Sequence, residues 1–293
     1  MSHWWTGMGR RTLERVRPLR KPEPGRPVLG LALSGGGERG VAHIGVLSVL
    51  EEHGIRADVV AGTSAGSIAG ALYCAGWSSG QMLDAVHAMN LRQIRRFSWS
   101  DRRGILRSEA IEDWVGAMLG PGRTFADLDI PLTVIAADLL KGTEILFDDG
   151  PLAPAIRASC AVPGMFTPCV DADGRVLVDG GLVNNLPVDI VRQMGATFAI
   201  GVDVSHHGME NWPDEPPRTM IDVLSMVYYV LRHNTDLLHH EPDCLVIPTL
   251  PSIRMSKVVE YADQLYEAGR DAMLAALPRL MDDLENTPAP HSE

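Results

Sequence analysis

The order of hydrophobic and polar residues predicts alternating strands and helices from Val28 onward. Val28 to Leu33 is an apolar run typical of a buried strand, and Gly40 to His53 carries apolar residues at helical spacing. Asp58 to Ala61 and Ala65 to Cys74 repeat this pair. Two consecutive β-α units indicate a parallel sheet with crossover helices, so the pattern predicts an α/β fold.

The alternation continues after an irregular basic segment. Strands are predicted at Leu132 to Ala137, Glu144 to Phe147, Val176 to Val178, Phe198 to Val204 and Asp243 to Ile247. Helices are predicted at Ser79 to Asn90, Ser108 to Leu119, Leu152 to Ser159, Pro187 to Met194, from Thr219 onward, and at Lys257 to Leu284. Asn185 is the expected N-cap of the helix that begins at Pro187. These elements predict a flexible basic arm over residues 1–26, a main domain over 27–250, and a C-terminal helix with an acidic tail over 251–293.

Composition narrows the class of protein. The 293 residues are 45% hydrophobic and 22% charged, with a formal net charge of -11, which argues against a nucleic-acid partner. The four cysteines, Cys74, Cys160, Cys169 and Cys244, show neither C-x-x-C pairing nor metal-ligand spacing. We therefore expect reduced thiols, no metal site and a cytoplasmic protein.

Two basic segments raise the question of membrane contact. The arm contains Trp4 and Trp5 among its arginines, and residues 91–107 hold six arginines interleaved with Phe97 and Trp99. Peripheral contact with an anionic membrane surface is one interpretation, and a solvated tail and loop is the other. Val59 to Leu83 lacks charge, but its five glycines favour a strand, turn and helix over a membrane span.

The turn between the second strand and the second helix carries the first candidate for chemistry. Gly62 to Gly66 matches G-x-S-x-G, and a strand precedes it while a helix follows it. In that context the two glycines permit a sharp turn that lifts Ser64 above the end of a sheet. Ser64 is therefore a candidate nucleophile, which needs a base and an anion-stabilising site.

A glycine-rich loop after the first strand supplies the candidate anion site. Gly35, Gly36, Gly37, Glu38, Arg39 and Gly40 fill it. Consecutive glycines can turn their N–H groups to one side, beside a helix N-terminus that favours negative charge. The loop also fits the dinucleotide fingerprint G-x-G-x-x-G, which requires an acid at the end of the second strand. The nucleophile turn occupies that position, so the sequence favours an oxyanion hole.

Four residues are the main candidates for the base. His206 and His207 follow a predicted strand, whereas His43 lies among apolar residues of the first helix, where a core role is expected. Asp179 ends a strand and precedes Gly180 and Gly181, so that the backbone can approach closely. Asp138, Asp148 and Asp171 lack this strand-to-glycine context. A carboxylate within hydrogen-bond reach can take a serine proton directly.

Taken together, GGGERG, GTSAG and DGG resemble the motifs of the bacterial patatin-like phospholipase family. Further matches are Gly40 to Leu47, the ASCAVP stretch over residues 158–163, and DGGLVNNLP over residues 179–187. The resemblance spans about residues 28–204. It implies a three-layer α/β/α sandwich with a mostly parallel central sheet, and it makes the region 27–250 the hydrolase domain.

The resemblance also implies a reaction. Ser64 would be the nucleophile and Asp179 the base of a dyad without histidine, with Gly36, Gly37 and Arg39 at the oxyanion hole. The motif glycines are Gly35, Gly40, Gly62, Gly66, Gly180 and Gly181. We expect a hydrolase of fatty-acyl esters in lipid catabolism that needs neither cofactor nor metal, with a lipid or acyl ester as its partner. The alternatives are a regulatory or adaptor protein with little catalysis, and a histidine-dependent serine hydrolase.

Overall fold

The computed structural model describes residues 26–99, 101–205, 216–220, 223–224, 226–228, 230–231, 241–251 and 257–287. Residues 1–25 of the predicted arm, the His206–His207 pair and much of the predicted helix from Thr219 lie outside these ranges. The division into arm, main domain and C-terminal region stays a prediction.

Short strands and longer helices alternate along the chain. The strands are β1 Leu29–Leu33, β2 Val59–Thr63, β3 Gly104–Leu106, β4 Leu132–Asp138, β5 Thr143–Phe147, β6 Gly164–Phe166, β7 Cys169–Val170, β8 Val176–Asp179, β9 Phe198–Val202 and β10 Cys244–Val246. The helices are α1 Val41–Glu52, α2 Ala65–Cys74, α3 Ser79–His87, α4 Leu91–Ile94, α5 Glu109–Leu119, α6 Leu152–Ser159, α7 Val188–Gln193 and α8 Ala262–Asn286. Single 3₁₀ turns cover Gly37–Gly40, Phe125–Asp127 and Gly180–Leu182.

The central sheet is mostly parallel, as predicted. Its paired strands follow the order β10-β9-β1-β2-β4-β8-β7, and β5 pairs with β4. The pairs from β10 to β4 are parallel, whereas β5, β7 and β8 join as antiparallel strands. β3 and β6 form a separate two-stranded sheet. Every residue of β1, β2 and β9 is buried, which is expected of parallel strands covered on both faces.

Helices cover both faces of the sheet, which confirms the three-layer α/β/α arrangement. Successive residues of β1 point to opposite faces, so Leu31 joins the large core cluster under α1, α2 and α5, and Ala32 joins a smaller cluster under α7. α8 packs along α1, where Gly269 lies directly against the Ala42 carbonyl. Between two helices, glycine permits this close approach because it has no side chain.

One expectation from the sequence, the N-cap of α7, is wrong. Asn185 is not the N-cap of α7, because the helix starts after Pro187 and the Asn185 amide donates to Ser205 Oγ over 2.9 Å. The four cysteines are unpaired and buried. Within the described ranges, no helix combines the length and apolar character needed to cross a bilayer.

Candidate active site

Ser64 occupies a strained turn between β2 and α2. Its backbone has φ 51° and ψ -120°, and it is the one non-glycine residue with positive φ in the described part of the chain. Such a conformation costs about 1–3 kcal/mol and survives only where the surrounding structure imposes it. The strain indicates that the turn is fixed by its neighbours, as expected for a nucleophile turn.

Close packing and hydrogen bonds hold this turn. A methyl group on Gly62 would lie 2.5 Å from the Gly66 carbonyl oxygen, and one on Gly66 would collide with the Leu33 carbonyl. The Ser64 N–H donates to Ser159 Oγ over 2.8 Å. The two motif glycines therefore bring α2 against the end of β1, and Ser159 fixes the peptide of the candidate nucleophile.

The strand register brings Asp179 to the end of β2. β5 pairs with β4 residues 134–138, which overlap both the β2 partners (132–135) and the β8 partners (136–138). Because a strand has only two edges, β2 and β8 share the other one and meet end to end. Thr63 lies opposite Ile135 and Asp179 lies opposite Ala136, so Ser64 and Asp179 are neighbours along the same edge of β4.

The Asp179 carboxylate is held rigidly and excluded from solvent. Its Oδ1 accepts hydrogen bonds from the Gly181 N–H over 2.8 Å and from the Tyr228 hydroxyl over 2.9 Å, and the residue is 0% exposed. Donors to a carboxylate oxygen favour its charged form, which a general base requires. Tyr228 carries no motif signal in the sequence, because two adjacent tyrosines in an apolar helical stretch are ordinary helix residues.

Two hydrogen bonds hold the residues at the start of the glycine-rich loop. His43 Nε2 donates to the Ser34 carbonyl over 2.9 Å, and the Gly35 N–H donates to the Asn185 carbonyl over 3.2 Å. Burial lowers the pKa of His43 to about 4, so its ring is neutral and serves the core, as predicted. Within the described residues, no group accepts a hydrogen bond from the N–H of Gly36 or Gly37.

The other motif residues crowd around the same point. A side chain would not fit at Gly35, Gly36, Gly40, Gly180 or Gly181. At Gly37 there is space, but the backbone has φ 61°, a conformation that residues with a side chain rarely adopt. Arg39 is buried in the 3₁₀ turn of the loop, and Gly37 and Glu38 face the cavity beside Ser64. The role of Arg39 at the oxyanion hole stays a prediction.

Residues 159–161 connect the nucleophile and the base. Ser159 accepts from the Ser64 N–H, and the Asp179 N–H donates to the Ala161 carbonyl over 3.0 Å. Between them, the Cys160 thiol contacts Ser64 and lies in the field of Asp179. Burial raises the pKa of Cys160 far above that of a free thiol, so it stays protonated and does not compete with Ser64 as a nucleophile.

An apolar cavity opens beside Ser64. It has a volume of about 180 Å³ and extends between α2, α3, α4 and α5. Its lining is almost entirely hydrophobic and includes Ile68, Leu72, Met82, Ala85, Val86, Met89, Leu91, Ile94, Ile111, Trp114, Met118, Cys160, Val162 and Phe166. Of the two neighbouring apolar residues of β6, Phe166 lines the cavity, whereas Met165 packs against the main core.

Comparison with known proteins agrees with this geometry. A family model described as patatin-like phospholipase matches residues 31–192, a range that holds Ser64, Asp179 and the glycine-rich loop. The chain belongs to the patatin-like phospholipase family. The family resemblance seen in the motifs is thereby confirmed.

Relatives within this family come from bacteria and animals. The chain is 39% identical over 181 residues to an uncharacterised NTE family protein of Mycobacterium tuberculosis, which covers 61% of this chain and 49% of the relative. It is 35% identical over 190 residues to the human patatin-like phospholipase domain-containing protein 6, covering 60% of this chain and 13% of that protein. The patatin-like chain thus spans about half the length of its mycobacterial relatives.

Among solved structures, VipD from Legionella pneumophila has a similar fold. The two superpose with a TM-score of 0.58 at 14% identity, over 89% of this chain and 70% of VipD. At that identity the similarity concerns the patatin-like fold alone.

Proposed function

We propose that this protein is a serine hydrolase of fatty-acyl esters of lipids, acting through Ser64 and Asp179. The observation that carries the proposal is the end-to-end meeting of β2 and β8, which sets a strained serine beside a buried carboxylate. An apolar cavity beginning at that serine suits the acyl chain of such an ester. A cytoplasmic location stays a prediction.

In the first half of the reaction, Ser64 is acylated. Asp179 takes the hydroxyl proton through Oδ2, since Oδ1 already accepts two hydrogen bonds, while Ser64 Oγ bonds to the ester carbonyl carbon. The N–H groups of Gly36 and Gly37 hold the resulting oxyanion. The bond from that carbon to the alcohol oxygen then breaks, and Asp179 returns the proton to the departing alkoxide.

In the second half, water releases the acyl group. Asp179 removes a proton from a water molecule, whose oxygen attacks the acyl carbonyl carbon, and the same two N–H groups hold the second oxyanion. The bond to Ser64 Oγ breaks and Oγ recovers its proton from Asp179. The products are a fatty acid and the alcohol, and the enzyme is unchanged.

The rival functions make different use of these residues. A histidine-dependent hydrolase needs an imidazole next to Ser64, but no histidine of the described residues lines the cavity, and His43 faces Ser34. An adaptor protein has no need of backbone strain at Ser64. Strain at a buried polar residue favours catalysis over a purely structural role.

Hydrolysis of a short-chain aryl ester and of a phospholipid tests the proposal. We expect turnover by the parent protein, loss with Ser64→Ala and with Asp179→Asn, and retention with His206→Ala/His207→Ala. Asp173→Asn, an exposed carboxylate in the turn before β8, is the matched control. A parent protein inactive on every ester supports the adaptor, and activity that depends on the histidines while surviving Asp179→Asn overturns the dyad.

A further inference from the structure

A pair of exposed aromatic rings stands out on the segment that follows α4. Phe97 is 58% exposed and Trp99 is 92% exposed, with their ring centroids 6.3 Å apart. Large exposed apolar groups in a cluster mark interaction sites, and tryptophan favours the boundary between lipid and water. This pair points to an apolar or interfacial partner.

Positive charge surrounds the two rings. Arg96, Arg103 and Arg107 are neutralised by ion pairs with Asp113, Asp101 and Glu109. The remaining three, Arg92, Arg95 and Arg102, are exposed and form no ion pair with any described residue. In a chain of net charge -11 this local excess of cations is unusual, and it fits an anionic partner.

The same segment forms part of the wall of the cavity. Leu91, Ile94 and Arg95 line it, so the exposed arginine and the partly buried apolar side chains lie within one short stretch. Phe97 pairs with Leu106 of β3, and β3 pairs with β6, whose Phe166 also lines the cavity. The exposed aromatic pair and the cavity lining therefore belong to the same short region, which consists of residues 91–99, β3 and β6.

A second apolar surface continues from β6. A methyl group on Gly164 would lie 2.9 Å from Leu224 Cδ1, so this helical stretch packs directly against the two-stranded sheet. Its exposed apolar side chains recur three or four residues apart, which puts them on one helical face: Met220, Val223, Leu224, Val227, Val230 and Leu231. Tyr228, which donates to Asp179, belongs to the same stretch.

We propose that these residues form a docking face for an anionic lipid bilayer. The docking face consists of Arg92, Arg95, Phe97, Trp99, Arg102, Met220, Val223, Leu224, Val227, Val230 and Leu231. The rings and aliphatic side chains enter the boundary between headgroups and acyl chains, and the arginines contact lipid phosphates. The purpose of docking, delivery of acyl chains to the cavity, rests on the proposed function, whereas the binding itself does not.

A second copy of the chain fits this surface less well. Symmetric dimers place the same patch against itself, which would bring the unpaired arginines of both copies together. A bilayer supplies both the negative charge and the apolar interior that the docking face requires.

Vesicle co-sedimentation of the Ser64→Ala protein tests this proposal apart from catalysis. One set of vesicles contains phosphatidylcholine alone, and the other includes phosphatidylglycerol. We expect the protein to bind the anionic vesicles, and added salt to weaken this binding. Phe97→Ser/Trp99→Ser should weaken binding at least tenfold, and Arg92→Gln and Arg102→Gln about fivefold each. Leu274→Ser/Met281→Ser removes similarly exposed apolar groups from α8 and is expected to bind like the parent.

Three results with vesicles would overturn the docking face. These are no binding to anionic vesicles, equal binding to both vesicle types, and undiminished binding by the aromatic and arginine variants. A dimer that dissociates on Phe97→Ser/Trp99→Ser would assign the face to a second copy. Hydrolysis of a soluble short-chain ester by Phe97→Ser/Trp99→Ser shows that the variant is folded, and it also separates failure of docking from failure of the proposed function.

Discussion

The Tyr228 hydroxyl donates a hydrogen bond to Oδ1 of Asp179 over 2.9 Å, which ties the candidate base to a helical stretch with an exposed apolar face. No motif contains this tyrosine. The contact gives Asp179 a second donor beside the Gly181 N–H and fixes the direction of its carboxylate. Tyr228 is therefore a positioning residue whose loss can be measured without removing the base.

Tyr228→Phe is expected to lower kcat on a soluble ester about tenfold, equivalent to about 1.4 kcal/mol, with little change in KM. The acidic limb of the kcat/KM profile should move to higher pH, because a hydrogen bond that favours the charged carboxylate is lost. Tyr261→Phe, outside the site, serves as control. A lower kcat with an unmoved pH profile would indicate a structural role only.

The cavity predicts a preference for acyl chain length that one side chain can alter. Ala85 of α3 lines the cavity, whose volume is about 180 Å³. Ala85→Leu puts three more carbon atoms into this space and so leaves less room for an acyl chain. The ratio of kcat/KM for dodecanoyl over butyryl aryl esters should fall at least tenfold, because the longer chain loses apolar contact. Ala88→Leu, exposed at the end of the same helix, should leave the ratio unchanged. Equal effects of both variants would contradict acyl binding here.

The buried His43 predicts a loss of stability in mild acid. Its pKa is about 4 in the folded protein and 6.5 when unfolded, so between these values only the unfolded chain binds the proton. Stability therefore falls as pH drops from about 6.5 to about 4, by about 3 kcal/mol from this group. His43→Gln retains a donor for the Ser34 carbonyl. Its free energy of unfolding, measured with urea, should depend less on pH than that of the parent protein. Identical slopes for both proteins would contradict this assignment.

Sequence patterning predicted the elements that frame the site better than the contacts within it. The bounds of α2 and α6 agree with prediction, because continuous apolar and small residues mark both helices clearly. By contrast, β3, β6 and β7 are only two or three residues long, too short for any hydrophobic period to appear. Of these, β3 and β6 connect the cavity wall to the docking face.

The family resemblance paired Ser64 with Asp179 by role, but the strand pairing that brings the two residues together could not be predicted from the sequence. Each residue could be placed at the end of a strand, but pairing partners and register depend on tertiary packing. The wrong N-cap assignment of Asn185 has a similar cause. The Asn185 side-chain amide donates to Ser205 Oγ, and Ser205 is distant in sequence, beyond the end of β9. The meeting of β2 and β8 on one edge of β4 is a property of the fold.

Labelling by a fluorophosphonate probe tests the central claim, because the probe reacts with a serine only when a base has activated it. Peptide mass spectrometry is expected to find the probe on Ser64 of the parent protein, at an unchanged rate in His206→Ala/His207→Ala. Asp179→Asn should slow labelling at least about 100-fold, the contribution typical of a general base. Labelling at another residue, or an Asp179→Asn protein that reacts as fast as the parent, would contradict the Ser64–Asp179 dyad.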